Sequence, residues 1–469
     1  MLTRLEIDGF KTFENLVVDL HPFTVVLGAN AAGKSNLFDA IRLLSLLATH
    51  DVAEACRDMR GEPLELFRLT TGGRCPRITM AAEVLVDPVV RDPWGSEVKL
   101  THTRMRYELV LERREVRRGI ERVQVAHESV LPLIRKDDRW ANEVMKPSRD
   151  FRSTFLKYKR SKPWLTTDET SGGGHEFNIH QDGHQGRNRP ASAAEATVLY
   201  SMTNAEFPHL FALREEMRHW RLLQLDPALL RRPAPVTAAG VLDADGANLA
   251  AVLAELKAET TSTERPTGVL ADIAAELNQL IPGVARLDAA LHDASREYRI
   301  ELTMRDGLAF TSRVVSDGTL RVLALLTLLH DPRHRGLICF EEPENGVHPG
   351  RIRQLVNQLR DMATHPARFS AADGDMPLSQ LLLNSHSPVV LSALLDADRH
   401  PLPGGAVLFA DTARMSDPER NEQRRKTRLR PVDPSPQRAL DVSGDETPPP
   451  PQVSDLEVRQ VLDTVMTEG

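Results

Sequence analysis

The sequence has little of what is typical of membrane, secreted or strongly basic proteins. Its 469 residues include only three cysteines, Cys56, Cys75 and Cys339, and scattered unpaired cysteines are typical of a reducing compartment. No apolar run approaches the roughly 20 residues that a membrane span needs, and the N-terminus has no signal-peptide pattern. The formal net charge of −7 shows no overall basic excess, so any nucleic-acid surface must be local. We therefore expect a cytoplasmic protein without a membrane segment.

A glycine-rich segment near the N-terminus has the spacing of a phosphate-binding loop. It fits the pattern G-x-x-x-x-G-K-[ST], in which successive backbone N–H groups face the phosphates of a nucleotide. A β-rich apolar run precedes it and a helical pattern follows, so the phosphates would lie at a helix N-terminus. We expect Lys34 to reach the β- and γ-phosphates of ATP and Ser35 to bind Mg²⁺. The candidate nucleotide-binding residues are Gly28, Asn30, Gly33, Lys34, Ser35 and Asn36.

Two later segments carry side chains that suit the hydrolysis of a bound nucleotide. The apolar run 337–340 predicts a buried strand, which ends in Glu341 and Glu342. Glu341 is placed to hold Mg²⁺, and Glu342 is placed to polarise the attacking water. His386 follows a second apolar run, 378–383, and would sense the γ-phosphate and help to position the water. The candidate catalytic residues are therefore Lys34, Glu342 and His386, and the candidate metal ligands are Ser35 and Glu341.

The remaining pattern predicts an α/β protein with a mixed sheet and an antiparallel β layer. A β-hairpin is expected over 2–20, with further strands at 78–86, 104–112, 116–125, 284–291 and 297–304. Helices are expected over 191–217, from 245 to 253 and over 269–280. The predicted domains are an N-terminal lobe of an ATPase core (1–134), a partly helical insertion (135–283), a C-terminal lobe (284–430) and a proline-rich tail (431–469).

The insertion begins with a basic segment that allows two interpretations. Residues 135–162 hold ten lysines and arginines against four acidic residues, and the aromatic residues among them are Trp140, Phe151, Phe155 and Tyr158. Basic and aromatic side chains together suit phosphate contact and base stacking, which would make the segment a DNA-binding surface. The alternative is an ordinary solvated surface insertion, because most charge runs are of that kind.

Two other polar stretches carry weaker signals. A loop is expected around 171–184, and its three histidines, His175, His180 and His184, lack the cysteines or clustered carboxylates that would complete a metal site. The prolines of 431–452 predict a disordered or polyproline-like linker. A short amphipathic helix is expected after it, over 454–465, with Ser454 as the N-cap.

Together these motifs resemble those of ABC-type ATPases of the RecF/SMC class. The sequence is most similar to stand-alone AAA-type ATPases related to the OLD family. OLD-family chains also carry a Toprim nuclease domain, which this sequence is expected to lack. The segments that carry the resemblance are 28–36, 316–321, 341–349 and 384–388. The resemblance implies an ABC-type P-loop NTPase core with a helical or irregular insertion.

The resemblance also implies a nucleotide site shared between the two protomers of a homodimer. Ser316-Asp-Gly-Thr stands in for the ABC signature, so Ser316 and Gly318 would bind the γ-phosphate of ATP held by the other protomer. Residues 345–348 would meet their counterpart across the dimer. The sequence departs from the family pattern at two positions, because Glu341 replaces the usual aspartate and Ala31 replaces a glycine common in the phosphate loop.

Two functions remain open on this basis. The first is an ATP-hydrolysing dimeric switch that acts on DNA or on a partner effector such as a nuclease, in anti-phage defence or DNA repair. The residues after His386 lack the acidic cluster of a Toprim nuclease, so the effector would be a separate protein. The second is an ATP-binding assembly scaffold with little or no turnover, because no glutamine, Gln124 included, is assigned to the ABC Q-loop. The signature Ser-Asp-Gly-Thr and the long insertion make a transporter subunit the weakest alternative.

Overall fold

The computed structural model describes residues 1–70, 72–169, 175–181, 184–190, 194–331, 333, 336–371, 377–395, 406–417, 422–433 and 452–468. By its internal contacts the chain divides into two compact units. The first unit consists of Met1–Trp220, Ala363–Leu382 and Leu402–Gly469, and the second consists of Arg221–Met362 and Leu383–Pro401. The predicted four-part division follows motifs and composition rather than contacts, and it stays a prediction.

The strands and helices follow one another closely along the described residues. The strands are β1 (Leu2–Asp8), β2 (Leu16–Asp19), β3 (Phe23–Leu27), β4 (Leu69–Thr70), β5 (Gly73–Arg74), β6 (Arg77–Leu85), β7 (Val89–Arg91), β8 (Glu97–Lys99), β9 (Arg104–Arg117), β10 (Ile120–Pro132), β11 (Leu165–Glu169), β12 (His175–Gln181), β13 (His184–Pro190), β14 (Arg221–Leu223), β15 (Ala234–Pro235), β16 (Val284–His292), β17 (Glu297–Met304), β18 (Ala309–Thr311), β19 (Gly336–Glu341), β20 (Ser379–Ser385), β21 (Val407–Asp417), β22 (Glu422–Asp433) and β23 (Val453–Ser454). The α-helices are α1 (Lys34–Leu47), α2 (Val52–Arg57), α3 (Arg149–Phe155), α4 (Pro208–Arg218), α5 (Pro227–Leu230), α6 (Leu249–Thr260), α7 (Leu270–Leu280), α8 (Asp317–Leu329), α9 (Ile352–Met362), α10 (Pro388–Leu395) and α11 (Asp455–Glu468).

An antiparallel sheet forms much of the first unit, in the strand order β13-β12-β11-β10-β9-β6-β1-β2. Its central strands alternate buried and more exposed residues, as in β9, where Met105, Tyr107 and Leu109 are buried and the residues between them are less so. This alternation arises because successive side chains of a strand point to opposite faces of the sheet. The predicted antiparallel β layer is confirmed, and so is the predicted hairpin, formed by β1 and β2.

The first unit also contains strands in both orientations around β3. β3 is parallel to β21, β21 is antiparallel to β22, and β22 is parallel to β23. All five residues of β3 are buried, which is expected of a strand covered on both faces. The predicted mixed sheet is therefore confirmed, and β3 leads directly into the phosphate loop and α1.

The second unit combines parallel strands with a small antiparallel sheet. β14 runs parallel to β19, while β15, β17 and β16 form an antiparallel sheet to which β18 adds at β17. The strands expected at 284–291 and 297–304 and the helix expected over 269–280 are confirmed as β16, β17 and α7. β20 crosses the boundary between the units, since residues 379–382 belong to the first and 383–385 to the second.

The aromatic residues of the basic segment lie in a hydrophobic core and not on a surface. Trp140, Phe151 and Phe155 are each at most 5% exposed and pack in one cluster. Tyr158 is partly buried, and its hydroxyl donates a hydrogen bond of 2.7 Å to Asp138. The base-stacking interpretation of these aromatic side chains is therefore wrong, because a ring in the core has no face to offer a nucleobase.

Three local expectations differ from the structure. The helix expected over 191–217 begins only at Pro208, whose fixed φ and missing N–H suit the first helical position. The strand expected at 116–125 begins at Ile120, because β9 continues to Arg117 before the turn. Of the expected loop around 171–184, residues 171–174 and 182–183 lie outside the described residues, while 175–181 form β12, which pairs with β13. Among the described residues no three His, Cys, Asp or Glu side chains are grouped to hold a metal ion.

The C-terminal tail is only partly described. Residues 431–433 belong to β22 and not to the predicted linker, and the remaining part of that prediction, 434–451, lies outside the described residues. The predicted terminal helix is confirmed as α11, and the Ser454 hydroxyl accepts a hydrogen bond of 3.3 Å from the Glu457 N–H, as an N-cap does. None of the helices in the described residues combines the length and apolar character that crossing a membrane requires.

Candidate active site

The phosphate loop connects the end of β3 to the start of α1, as the motif predicts. Lys34 is only 7% exposed, and its ammonium donates hydrogen bonds to the carbonyl oxygens of Gly28 (2.6 Å) and Ala29 (2.8 Å). Asn30 is exposed at the top of the loop. The loop therefore curls around a buried positive charge, which is the arrangement that an anionic phosphate group requires.

Two residues of the loop, Gly33 and Ala31, have left-handed backbone conformations. Gly33 has φ 93°, and a Cβ added to it would lie 2.3 Å from Thr427 Oγ1, so any other residue would be both strained and sterically blocked. Ala31, which replaces a glycine of the family pattern, also has a left-handed backbone with φ 62°. A non-glycine residue pays about 1–2 kcal/mol for this conformation, so the substitution costs the loop some stability.

A small polar network supports the loop from beneath. The Asn36 amide donates to Thr12 Oγ1 at 2.8 Å, and the Thr12 and Thr427 hydroxyl oxygens lie 2.7 Å apart. The Thr427 hydroxyl also contacts the carbonyl oxygen of Ala32 at 3.2 Å. The side chain of Asn36, a candidate nucleotide-binding residue, thus holds Thr12. Neither Thr12 nor Thr427 was among the predicted site residues.

The start of α1 fits a nucleotide phosphate in its charge as well as its shape. No acidic residue lies in its first turn, and its N-cap Gly33 offers no side chain to satisfy the first N–H groups. The partial positive charge of a helix N-terminus is therefore available to an anion. Ser35 lies in this first turn and is partly exposed, so its hydroxyl suits a ligand of a phosphate-bound Mg²⁺.

The two carboxylates of the second unit stand at the end of β19. Glu341 is its last residue, and Glu342 follows with φ 51°, a left-handed conformation that glutamate rarely adopts. The Glu342 N–H donates to the backbone oxygen of Asn384 at 3.0 Å and also lies 3.2 Å from Asn384 Oδ1. The Asn384 amide in turn donates to Glu341 Oε1 at 3.2 Å. Asn384 therefore joins both glutamates, a role that the sequence analysis did not assign to it.

Glu342 and His386 form a hydrogen-bonded pair. His386 Nδ1 lies 2.9 Å from Glu342 Oε1, and since an ionised carboxylate can only accept, the ring nitrogen donates. The second oxygen of Glu342, Oε2, accepts from the Asn345 amide at 2.7 Å. The two side chains are 34% and 27% exposed, so water can reach them. Glu342 and His386 were predicted separately, at the ends of two different strands, and the structure brings them into direct contact.

The signature segment caps the helix α8. The Ser316 hydroxyl oxygen accepts from the Thr319 N–H at 3.2 Å, and Asp317 forms an ion pair with Arg231. A Cβ added to Gly318 would lie 2.4 Å from the Cα of Gly346. The signature is thus packed, backbone against backbone, on the loop that follows Glu342.

The predicted site residues fall into two sets. Those of the phosphate loop lie in the first unit, and Ser316, Gly318, Glu341, Glu342 and His386 lie in the second. Within the second unit, Asn384 joins Glu341 and Glu342, and His386 contacts Glu342 directly. Asn384 and Asn345 could have been found from one signal, because both stand inside the motifs that contain His386 and Glu342.

Comparison with known proteins extends this picture. Fifty residues are 40% identical to the DNA replication and repair protein RecF of Lactococcus lactis subsp. cremoris strain MG1363 and of subsp. lactis strain IL1403. This match covers 10% of the chain and 14% of the length of those relatives. The chain thus spans only a small part of the RecF proteins that it matches.

Solved structures of SMC heads are similar over most of their length but at low identity. The SMC head bound to the C-winged helix domain of ScpA is 13% identical, with a TM-score of 0.45, 91% of this chain and 97% of that chain covered. The SMC head domain from Thermotoga maritima is 11% identical, with a TM-score of 0.37 and coverages of 92% and 99%. At these scores the likeness is not evidence of function.

The match to a protein family is more extensive. The sequence model of the family described as "AAA domain, putative AbiEii toxin, Type IV TA system" matches residues 23–392, which include the phosphate loop, the signature, both glutamates and His386. The chain therefore belongs to this family of AAA-domain proteins.

Proposed function

We propose that the protein binds and hydrolyses ATP, with Glu342 as the group that polarises the attacking water. The observation that carries this proposal is the 2.9 Å hydrogen bond between His386 Nδ1 and Glu342 Oε1. A carboxylate held by two donors keeps a fixed direction, and its remaining lone pairs can accept a proton from water. Because His386 donates from Nδ1, its Nε2 is the ring atom left for the γ-phosphate or the water.

The phosphate loop supplies the binding half of the proposal. Lys34 would provide the main positive charge for the β- and γ-phosphates, and the residues around it would provide backbone N–H groups. Ser35 and Glu341 are the proposed ligands of Mg²⁺. When bound, this ion would neutralise phosphate charge as a Lewis acid. The partial exposure of Ser35 and the polar contact of Glu341 with Asn384 are consistent with these assignments.

We further propose that two protomers share each ATP and that the homodimer acts as a nucleotide-dependent switch. By the family resemblance, Ser316 and Gly318 would bind the γ-phosphate of ATP held by the second protomer. The target of the switch would be DNA or a separate effector, such as a nuclease, in anti-phage defence or DNA repair. The family description, which includes the words "putative AbiEii toxin, Type IV TA system", supports a role beside a second protein. The target itself is inferred by analogy of fold and family.

A second candidate function is an ATP-dependent assembly scaffold with little turnover. Gln124, the one glutamine considered for a Q-loop role, is 8% exposed and lies within β10 opposite Glu112. A Q-loop glutamine would contact the metal and its water from a loop, whereas the side chain of Gln124 lies in the middle of a sheet. This observation favours slow hydrolysis, while the Glu342–His386 pair favours turnover.

Phosphate release from ATP by two variants tests the proposed function. Lys34→Ala should lose ATP binding, because the β- and γ-phosphates lose their main counter-charge. Glu342→Gln should retain ATP binding and lose hydrolysis, because a neutral amide is too weak a base to take a proton from water. Glu264→Gln, which removes the same charge from an exposed position in the second unit, is the matched control and should keep wild-type turnover.

The outcomes separate the two functions. Tight ATP binding without measurable turnover in the wild-type protein favours the scaffold. Wild-type turnover in Glu342→Gln removes this residue from the mechanism. Turnover that falls in Glu342→Gln but not in Glu264→Gln supports hydrolysis with Glu342 as the base.

A further inference from the structure

The loop after Glu342 carries a second, deeply buried carboxyl group, Glu344. It is 8% exposed, and its Oε1 accepts a hydrogen bond from the hydroxyl of Ser385, which is fully buried. Burial raises the pKa of Glu344 above its ordinary value, and the Ser385 hydrogen bond opposes this shift in part. Burying a carboxyl group costs free energy that only hydrogen bonds or paired charges offset, and the hydrolysis mechanism gives Glu344 no direct part.

The direction of the hydrogen bonds around Ser385 is fixed by chemistry. The Ser387 N–H donates to Ser385 Oγ at 3.0 Å, so this oxygen already acts as an acceptor. The single hydroxyl proton of Ser385 is then free to bond to Glu344 Oε1. One chain of hydrogen bonds therefore runs from the peptide of Ser387 through the side chain of Ser385 to Glu344.

This chain of bonds encloses His386 between two anchored neighbours. Ser385 and Ser387 are tied to Glu344, while Asn384 is tied to the backbone N–H of Glu342. The backbone of His386 thus has anchored residues on both sides, and its Nδ1 meets Glu342 Oε1 at 2.9 Å. Small shifts of this backbone would move the imidazole off the carboxylate, because the ring has only two rotatable bonds to compensate.

We propose that Glu344 is a positioning residue, which holds the 385–387 backbone through Ser385 so that His386 meets Glu342 and the reacting water. This inference rests on the proposed ATP hydrolysis. It concerns the geometry of His386, however, and that geometry exists whether or not ATP is turned over.

The second oxygen of Glu344 indicates which replacement should work. Oε2 is buried and has no hydrogen-bond partner among the described residues. Only Oε1 is then needed for the Ser385 bond, and the oxygen of a glutamine amide can accept that bond equally well. Glu344→Gln should therefore keep the geometry, whereas Glu344→Leu fills similar space and cannot accept the bond.

Steady-state ATP hydrolysis by these variants is the first test. Glu344→Leu and Ser385→Ala should each lower kcat by about tenfold to a hundredfold with little change in KM, as expected of a misplaced catalytic group. Glu344→Gln should retain near wild-type kcat. The double variant should lose no more than either single variant, because both remove the same bond. Should Glu344→Leu fail to fold, Ser385→Ala carries the same test.

A readout that does not need turnover separates the inference from the proposed function. In histidine-labelled protein, the ring ¹⁵N signals of His386, identified by their loss in His386→Gln, report its hydrogen bond to Glu342. They should shift in Glu344→Leu and Ser385→Ala and keep their wild-type positions in Glu344→Gln. Thr327→Val, which removes another buried hydroxyl bond of the second unit, to the Leu323 oxygen, should leave them unchanged.

Each outcome bears on the proposal. If the wild-type protein shows no turnover, the proposed function fails, and the His386 signals alone decide the inference. Unshifted signals in Glu344→Leu and Ser385→Ala would overturn it. A Glu344→Gln variant as impaired as Glu344→Leu would also overturn it, because the carboxyl group would then act through its charge or its proton.

Discussion

Gly318 of the signature and Gly346 of the loop after Glu342 touch through their backbones. A Cβ built on Gly346 would lie 2.1 Å from the Cα of Gly318, and one built on Gly318 would lie 2.4 Å from the Cα of Gly346. No side chain fits at either position without a backbone shift. Because Asn345 next to Gly346 holds Glu342 Oε2, a shift at this contact would reach the proposed catalytic carboxylate.

Gly346→Ala should therefore reduce ATP turnover strongly, while ATP binding at the phosphate loop persists. Gly346 has φ 89°, so alanine is strained by about 1–2 kcal/mol before the clash with Gly318 is counted. Gly307→Ala is the matched control, since Gly307 has φ 85° but nothing within 4 Å of an added Cβ. Phosphate release measured on both variants isolates the effect of the contact. Equal loss in the two variants would show that backbone strain alone is responsible.

The shared nucleotide site predicts complementation between protomers. Lys34→Ala removes the phosphate-binding lysine from the loop of one protomer, and Ser316→Arg places a bulky charge at the signature of the other. Mixed in equal amounts, the two inactive variants should regain turnover, with at most one working site in each mixed dimer. ATP hydrolysis of the mixture against each variant alone measures this. A strict monomer with full activity in light scattering, with ATP present, would contradict the shared site.

If the basic segment binds DNA, it must do so through exposed charges, since Trp140, Phe151 and Phe155 are buried and Tyr158 packs against them. Lys136, Lys159 and Lys162 are exposed, whereas the Arg160 guanidinium donates to backbone oxygens and lies over the Trp164 ring. Replacing the three lysines with glutamate should abolish duplex binding and leave ATP turnover unchanged. With about three to five phosphate contacts, the wild-type slope of log K against log salt should be roughly −3 to −4.5.

A matched control distinguishes a DNA surface from a general loss of positive charge. Lys99, Arg296 and Arg305 are exposed basic residues outside the segment. Their replacement by glutamate changes the net charge by the same amount and should leave DNA affinity nearly intact. If both triple variants bind DNA as tightly as the wild-type protein, the segment is a solvated surface, as the alternative interpretation has it.

A buried glutamate in the antiparallel sheet predicts how stability depends on pH. Burial raises the pKa of Glu128 to about 7, although the N–H groups of Val198 and Leu199 and the Tyr107 hydroxyl donate to it. Between its ordinary pKa of 4.5 and about 7, the folded state holds a proton that the unfolded state releases. The stability that this group contributes is therefore complete at low pH and falls as pH rises through that window.

Glu128→Gln removes this titration. As pH rises from about 4.5 to 8, the free energy of unfolding of the wild-type protein should fall by up to about 3 kcal/mol relative to that of the variant. Urea unfolding at several pH values across the window measures it. A difference that stays constant would mean that Glu128 keeps one protonation state throughout.

The phosphate loop and the strand that ends at Glu341 were predictable because their sequence signals are local. The run from β3 through Gly28 to α1 needs only residues that adjoin one another, and the apolar strand before Glu341 is equally continuous. Local patterns fix backbone conformation where periodicity and turn residues agree. They failed over 194–207, where an apolar pattern of helical spacing forms no α-helix before Pro208, because propensity is a weak guide that tertiary packing overrides.

The order of the motifs and the class of fold therefore follow from local patterns in the sequence. Which side chains meet was decided by the tertiary structure. Trp140 and Phe151 lie in a basic segment, and only the packing of that segment on the core shows that they are buried. The contact of Gly33 with Thr427 and the bond of Glu344 to Ser385 join residues far apart in the chain. Such long-range contacts produce no periodic pattern in the sequence, because their energy is gained only when folding brings both partners out of water together.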